Sequence, residues 1–171
     1  DDNVTYTLTD DITFTARVDG IVVERDNITI DGAEHTINGI SIWPCKGIYL
    51  SGRSNVTIVN INIQQFWCAI YLDHSNSNIL IGNNLTNNYY GIILDYSNNN
   101  SIVRNSLREN IYSGIQITVF SNNNIVVGNN ITNNWGGIEL YDEPLNNIIV
   151  GNNITNNQVG VYLEYSNNNS I

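Results

Sequence analysis

The sequence predicts an all-β chain: a right-handed, single-stranded parallel β-helix, or solenoid, of about 6–7 coils with ~23 residues per coil. Three observations predict it. A four-residue block recurs: Gly47-Ile48-Tyr49-Leu50, Ala69-Ile70-Tyr71-Leu72, Gly91-Ile92-Ile93-Leu94, Gly114-Ile115-Gln116-Ile117, Gly137-Ile138-Glu139-Leu140 and Gly160-Val161-Tyr162-Leu163 follow one another at offsets of 22, 22, 23, 23 and 23. Of 171 residues, 33 are Asn and 27 are Ile, and only 13% are charged against about 25% in an average soluble domain. So much Asn, Thr and Gly, with little Ala, Lys and Glu, disfavours helices.

Each element follows from the repeat. The block alternates apolar and variable positions, the period-2 signature of a strand with one buried face. A degenerate copy, Gly20-Ile21-Val22-Val23, lies 27 residues before the first regular one. A second strand follows each block, as in Asn55-Val56-Thr57-Ile58, Asn78-Ile79-Leu80-Ile81, Asn124-Ile125-Val126-Val127 and Asn147-Ile148-Ile149-Val150. A third, shorter strand centres on Leu85, Leu107, Ile131 and Ile154. Three short strands per ~23 residues are too few for a propeller blade and suit one β-helix turn. Stacked rungs then align asparagines in columns, Asn60-Asn83-Asn105-Asn129-Asn152 and Asn88-Asn110-Asn134-Asn157. Asn tolerates left-handed turns, and stacked amides hydrogen-bond along the rod. These columns are therefore structural.

The ends differ from the middle. Residues 1–40 lack the Asn-rich repeat and are expected to form an N-terminal cap and entry coil, with residues 41–171 as β-helix repeats of the same continuous domain. The last residues, Ser166-Asn167-Asn168-Asn169-Ser170-Ile171, stop inside a second strand. An open solenoid end recruits strands, so self-association through this coil, or covering by further domains of the same protein, is expected.

A net charge of −10, with 6 Lys plus Arg, excludes a nucleic-acid partner, because phosphate binding needs clustered cations. No apolar run approaches the ~18 residues of a membrane span, so no membrane insertion is expected in this segment.

Two groups of side chains break the pattern. Asp73 and Asp95 occupy the same position after consecutive blocks, with His74 beside the first. Carboxylates one rung apart are candidates for acid and nucleophile or for a calcium site; equally, they can be solvated turn residues. The next coils carry Thr118, Tyr141 and Glu164 there. Trp67, Tyr89, Tyr112 and Trp135 share one phase just before the block, and Tyr49, Tyr71 and Tyr162 another. An aromatic column suits a glycan; alternatively the rings cover coil edges by stacking on one another.

The succession Gly-Ile-x-Leu, Ser-Asn-Asn-Asn-x-Ile and Asn-Asn-Ile-Thr-Asn-Asn resembles the NosD-like parallel β-helix repeats of the pectin-lyase-like and carbohydrate-binding, sugar-hydrolase superfamily. The opening Leu8-Thr9-Asp10-Asp11-Ile12-Thr13, with Asn27-Ile28-Thr29-Ile30-Asp31-Gly32, is similar to that family's N-terminal entry. The resemblance implies the fold across nearly the whole chain and an extracellular, cell-surface or periplasmic location. The superfamily's hydrolases carry Gly-His-Gly and Arg-x-Lys signatures, which this sequence lacks. Name-giving members are associated with copper-site maturation, yet the chain has no Met and only His35 and His74. No resident metal is expected.

Cys45 and Cys68 lie 23 residues apart, about one repeat, so neighbouring rungs bring them within disulfide range. With the secretion-type resemblance this favours a bridge in an oxidising compartment; two free buried thiols are the alternative. Asn84, Asn130 and Asn153 head N-glycosylation sequons at a solvent-facing position. Function reads first as a non-catalytic cell-surface structural module, such as a spacer, adhesive or filament subunit. The alternatives are a carbohydrate-binding module using the aromatic column, and a polysaccharide lyase or hydrolase using Asp73 and Asp95.

Overall fold

The structure, a computed structural model, describes residues 3–171. Its 21 strands fall into three parallel seven-stranded sheets, and successive strands of one coil enter the three sheets in turn. One coil consists of Thr57–Val59, Asn62–Gln64 and Cys68–Asp73; the next of Ile79–Ile81, Asn84–Thr86 and Tyr90–Asp95. The first short sheet runs from Val4–Thr7 to Ile148–Val150, and the second from Ile12–Thr13 to Asn153–Thr155. The third, the long-strand sheet, comprises Ile21–Val23, Lys46–Ser51, Cys68–Asp73, Tyr90–Asp95, Ser113–Thr118, Gly136–Tyr141 and Val159–Leu163. The chain is thus a solenoid of about seven turns, with the recurring block as its long strand. Residues 4–38 already supply strands to all three sheets, with Val4 paired to Ile28 and Ile12 to Ile37.

Parallel register stacks like on like. Ile48, Ile70, Ile92, Ile115 and Ile138 form one inward column, and Leu50, Leu72, Leu94, Ile117 and Leu140 the next. Every one of these is fully buried. Burying such a side chain contributes roughly 1.5–3 kcal/mol, so the Ile content is the core. The block's glycine also points inward. A Cβ at Gly91 would lie 2.4 Å from the Gly114 carbonyl oxygen, and one at Gly137 2.3 Å from that of Gly160. At Gly91 and Gly137 the coils approach too closely for a side chain, whereas the equivalent position one coil before Gly91 holds the buried methyl of Ala69.

Asparagine makes the corners. At three corners of each regular coil a residue in the left-handed conformation precedes a buried amide: Asn99 (φ 58) before Asn100, Arg104 (φ 53) before Asn105, and Glu109 (φ 57) before Asn110. The buried amides stack into three ladders. Asn105 shows the unit: its Oδ1 accepts from the backbone N–H and the Nδ2 of Asn83, while its own Nδ2 donates to Leu80 O and Asn129 Oδ1. Asn88-Asn110-Asn134-Asn157 repeats this, as does Asn78-Asn100-Asn124-Asn147-Asn169. A buried amide so bonded avoids the ~1–3 kcal/mol cost of an unsatisfied group. Asn60 departs from the expected column. It is the left-handed corner residue (φ 52), and the ladder position is Ile61, whose N–H donates to Asn83 Oδ1.

Candidate functional site

The ladders satisfy most of the corners, so the exceptions stand out, and most of them lie on the outer face of the long-strand sheet. Register aligns Tyr49, Tyr71, Ile93, Gln116, Glu139 and Tyr162 in one outward column. Ser51, Asp73, Asp95, Thr118 and Tyr141 form a second, and Lys46, Cys68 and Tyr90 begin a third. Gln116, Thr118 and Glu139 are buried although they face outward, and so is Ser113, which pairs with Gly136. Three side-chain atoms of this face, Asp95 Oδ1, Ser113 Oγ and Glu139 Oε1, are buried without a hydrogen-bond partner, while Thr118 faces the Tyr141 hydroxyl. Native structures contain few such groups, and each calls for an explanation.

The structure brings Asp73, His74 and Asp95 together. Asp73 and Asp95 pair in register on adjacent rungs, and each is held by a tyrosine one coil earlier. Tyr49 OH donates to Asp73 Oδ2 at 3.3 Å, Ser51 Oγ reaches the same oxygen at 3.4 Å, and Tyr71 OH donates to Asp95 Oδ2. His74 Nδ1 lies 2.6 Å from Asp73 Oδ1, with its ring stacked on Tyr96 at 4.6 Å. Burial pushes the Asp95 carboxyl above the usual range, only partly offset by the Tyr71 hydrogen bond. Burial, then the neighbouring Asp95, pushes the Tyr71 hydroxyl up strongly, and burial takes Tyr141 to about 12. Lys46 Nζ sits 4.4 Å from the Tyr49 ring centroid and 5.6 Å from that of Tyr71.

Three of the four column aromatics cluster. Trp67 meets Tyr90 edge-on at 5.6 Å, and Tyr112 stacks on both Tyr89, at 5.8 Å, and Tyr90, at 5.2 Å. With Ser41 and Trp43 they enclose a hollow of about 280 Å³. Trp135 stands further along the rod, 46% exposed, lining a second hollow of about 290 Å³ with Glu139, Tyr141, Tyr162 and Glu164. The rings thus stack on one another and also wall open hollows. The sequence reading missed Trp43, Tyr90, Gln116 and Glu139. Tyr90 adjoins the aligned column, and Glu139 is the acidic interruption of an otherwise neutral one.

The expected disulfide is absent, and both thiols are free. Cys45 belongs to the interior core, whereas Cys68 pairs with Lys46 on the outer face. The two side chains thus leave the sheet on opposite sides. Cys68 Sγ instead lies 3.2 Å from Ile70 O, and burial raises its pKa strongly. Asn84, Asn130 and Asn153 each open a strand on the outer side of the second short sheet. Their amides pair outside the core, Asn153 Nδ2 donating to Asn130 Oδ1 at 2.8 Å.

A family model described as "Periplasmic copper-binding protein (NosD)" matches residues 3–171. The chain belongs to the NosD family. The family is periplasmic, which puts the chain outside the cytoplasm, and no helix among the described residues is long and apolar enough to cross a membrane. In this NosD-family chain the His and Cys donors that copper favours do not converge among the described residues. His35 is at a corner beside Asp11, at 3.3 Å, and His74 is coils away on Asp73. The two cysteines face opposite sides, there is no Met, and among the described residues no three of His, Cys, Asp or Glu converge to hold a metal. In the pair weighed for calcium, Asp73 Oδ1, Asp73 Oδ2 and Asp95 Oδ2 are engaged by His74, Tyr49 and Tyr71, while Asp95 Oδ1 has no partner.

No curated protein matches this NosD-family chain in sequence. Among solved structures it is similar to the periplasmic alginate epimerase AlgG, with a TM-score of 0.58 and 19% identity over 81% of this chain and 35% of that one. It is also similar to the enzymatically active domain of tailspike protein 2 of bacteriophage CBA120, with a TM-score of 0.53 and 13% identity over 95% of this chain and 37% of that one. These likenesses show the parallel β-helix fold. The chain spans just over a third of the length of either protein.

Proposed function

We propose that this chain binds a carbohydrate laid along the outer face of its long-strand sheet. The observation that carries the reading is the set of three buried, unpartnered polar atoms, Asp95 Oδ1, Ser113 Oγ and Glu139 Oε1, on one face walled by aromatic rings. A purely structural rod needs its core and its ladders; it gains nothing from unsatisfied groups on one outer face. Sugar hydroxyls donate and accept hydrogen bonds, and pyranose faces pack on Trp and Tyr. A face of orphaned polar atoms between rings has that complementarity.

Binding to a glycan panel tests this, with Trp67→Ala and Trp135→Ala as variants and Arg108→Ala, on the second short sheet, as control. Loss of at least tenfold in affinity for both tryptophan variants, with the control unchanged, is the expected result. Absence of binding to any glycan, or binding indifferent to both substitutions, would dispose of the reading.

One observation favours a second reading, catalysis on the bound glycan. Asp95 is a carboxyl raised by burial, one rung from Asp73, which is how an acid and its partner carboxylate are arranged in glycoside hydrolysis. Incubation with bound glycans and product detection by mass spectrometry tests it, with Asp73→Asn as control. Uncleaved, unmodified glycan leaves a binding module.

A further inference from the structure

The end of the face nearest the last coil holds chemistry that ring stacking does not account for. Of the five residues around the second hollow, Glu139 is the most buried, at 6% exposure. Its Oε2 accepts from Gln116 Nε2 at 3.3 Å, and its Oε1 has no partner. The side chain folds back over Gly136, where a Cβ would lie 2.3 Å from Oε1, so glycine makes the room for this carboxylate. One coil earlier, in register with Gly136, Ser113 is 1% exposed and its Oγ is also unpartnered. A carboxyl group buried against one neutral amide, with its other oxygen unpaired, is costly unless a further polar partner meets it. Trp135, Tyr141 and Tyr162 stand around it, and Glu164, bonded to Tyr162 OH, adds a second acid at the exposed rim. A carboxyl group below and aromatic side chains around it make a receptor for an ammonium group.

Charge along the rest of the face points the same way. Its seven strands carry Asp73, Asp95 and Glu139 against a single basic residue, Lys46, and the whole chain is at −10. A polyuronate would set a carboxylate on nearly every sugar against this row, and like charges facing one another disfavour a ligand as effectively as a steric clash. We infer that the glycan carries free amino sugars, of the glucosamine type, and that the hollow at Glu139 receives a sugar ammonium. The inference rests on the carbohydrate reading above and names its ligand class. The hollow lies on the same face as the aromatic cluster two coils away. A rung spacing of ~4.8 Å is close to the length of one hexose unit, so a chain stacked on Trp67 and Tyr112 can carry a later sugar to Trp135.

Calorimetric titration at mildly acidic pH, where sugar amines are protonated and ordinary carboxylates ionised, separates the possibilities. The ligands are hexamers of glucosamine, N-acetylglucosamine and mannuronate, each titrated into the full chain and into Glu139→Gln and Glu164→Gln variants with unchanged circular dichroism. The glucosamine hexamer is expected to bind at least tenfold tighter than its acetylated counterpart, and the mannuronate hexamer not to bind. Glu139→Gln should erase the preference while leaving the weaker, acetylated binding in place. Equal binding of the free and acetylated hexamers, tighter binding of mannuronate, or a preference that survives in both variants overturns the inference and leaves the carbohydrate reading standing. A lysine peptide that binds as tightly as the glucosamine hexamer, with the same dependence on Glu139, overturns the sugar as the source of the ammonium. If none of the three hexamers binds, the amino-sugar assignment fails, and the glycan panel above decides the broader reading by itself.

Discussion

Replacing Asn105 with alanine tests whether the ladders, rather than the strands alone, hold the rod together. The substitution deletes four hydrogen bonds: two that Asn105 Oδ1 accepts from Asn83, at 2.9 and 3.0 Å, and two that its Nδ2 donates, to Leu80 O at 2.9 Å and Asn129 Oδ1 at 3.1 Å. Two of the former partners remain bonded elsewhere. Asn83 Nδ2 keeps Ile58 O at 3.0 Å, and Asn129 Oδ1 keeps the backbone N–H of position 105 at 2.8 Å. The Asn83 backbone N–H is left buried and unpaired, at a cost of about 1–3 kcal/mol, and each net hydrogen bond lost adds about 1 kcal/mol. A destabilisation of about 3–5 kcal/mol follows. Asn130→Ala is the comparison, because it removes an exposed amide whose Oδ1 accepts one bond from Asn153; its cost should stay below about 1 kcal/mol. Urea unfolding followed by circular dichroism measures both, the midpoint moving with the slope unchanged. If Asn105→Ala lay within about 1 kcal/mol of Asn130→Ala, the ladder would not be a main source of stability and the reasoning would be refuted.

Three further outcomes are expected. Gly91→Ala sets a Cβ 2.4 Å from the Gly114 carbonyl and 2.8 Å from Leu107 Cδ2, so a loss of at least about 1–3 kcal/mol in the same assay is expected, and a neutral result would contradict the packing. Both cysteines should appear as thiols by mass under non-reducing conditions and react with a thiol reagent only on unfolding, since both are buried and Cys68 is pushed far from its thiolate form; a native mass lower by two hydrogens would reinstate the bridge. Asp95 has a folded pKa raised by burial, so its contribution to stability falls as pH rises from the unfolded carboxylate range through that raised value. Asp95→Asn should therefore stabilise the protein at neutral pH, with the gain shrinking on acidification; equal stability of the two proteins at neutral pH would count against the burial argument.

Much of the fold was legible because a solenoid writes its geometry as a period. Ile48, Ile70 and Ile92 are consecutive in the core because they are consecutive in the repeat. Errors came where one residue of shift decides a face. Asn60 occupies the left-handed corner position next to the ladder position, and both positions favour Asn, so composition alone did not separate them. The third ladder, Asn78 to Asn169, sits where the repeat equally suggests strand starts, for the same reason. Cys45 and Cys68 match the repeat length, yet the pairing offset in that coil is 22, with Cys68 opposite Lys46. An odd slip sends a side chain to the other face. The site was legible in its rings and in Asp73 and Asp95, which share a phase. Glu139 and Gln116 were not, because their significance is burial without partners, a property of the folded face and not of the spacing.

The three tryptophans of the chain, Trp43, Trp67 and Trp135, all line hollows associated with this face, so their indole N–H resonances report on the central claim directly. Titrating the ¹⁵N-labelled protein with the glycan panel should move the three indole signals together with the amides of residues 113, 116, 118 and 139, and leave the amides of the Asn83 to Asn152 ladder, between the two short sheets, in place. Indole signals that stay fixed for every glycan, or shifts confined to the short sheets, would contradict a carbohydrate-binding face on the long strands.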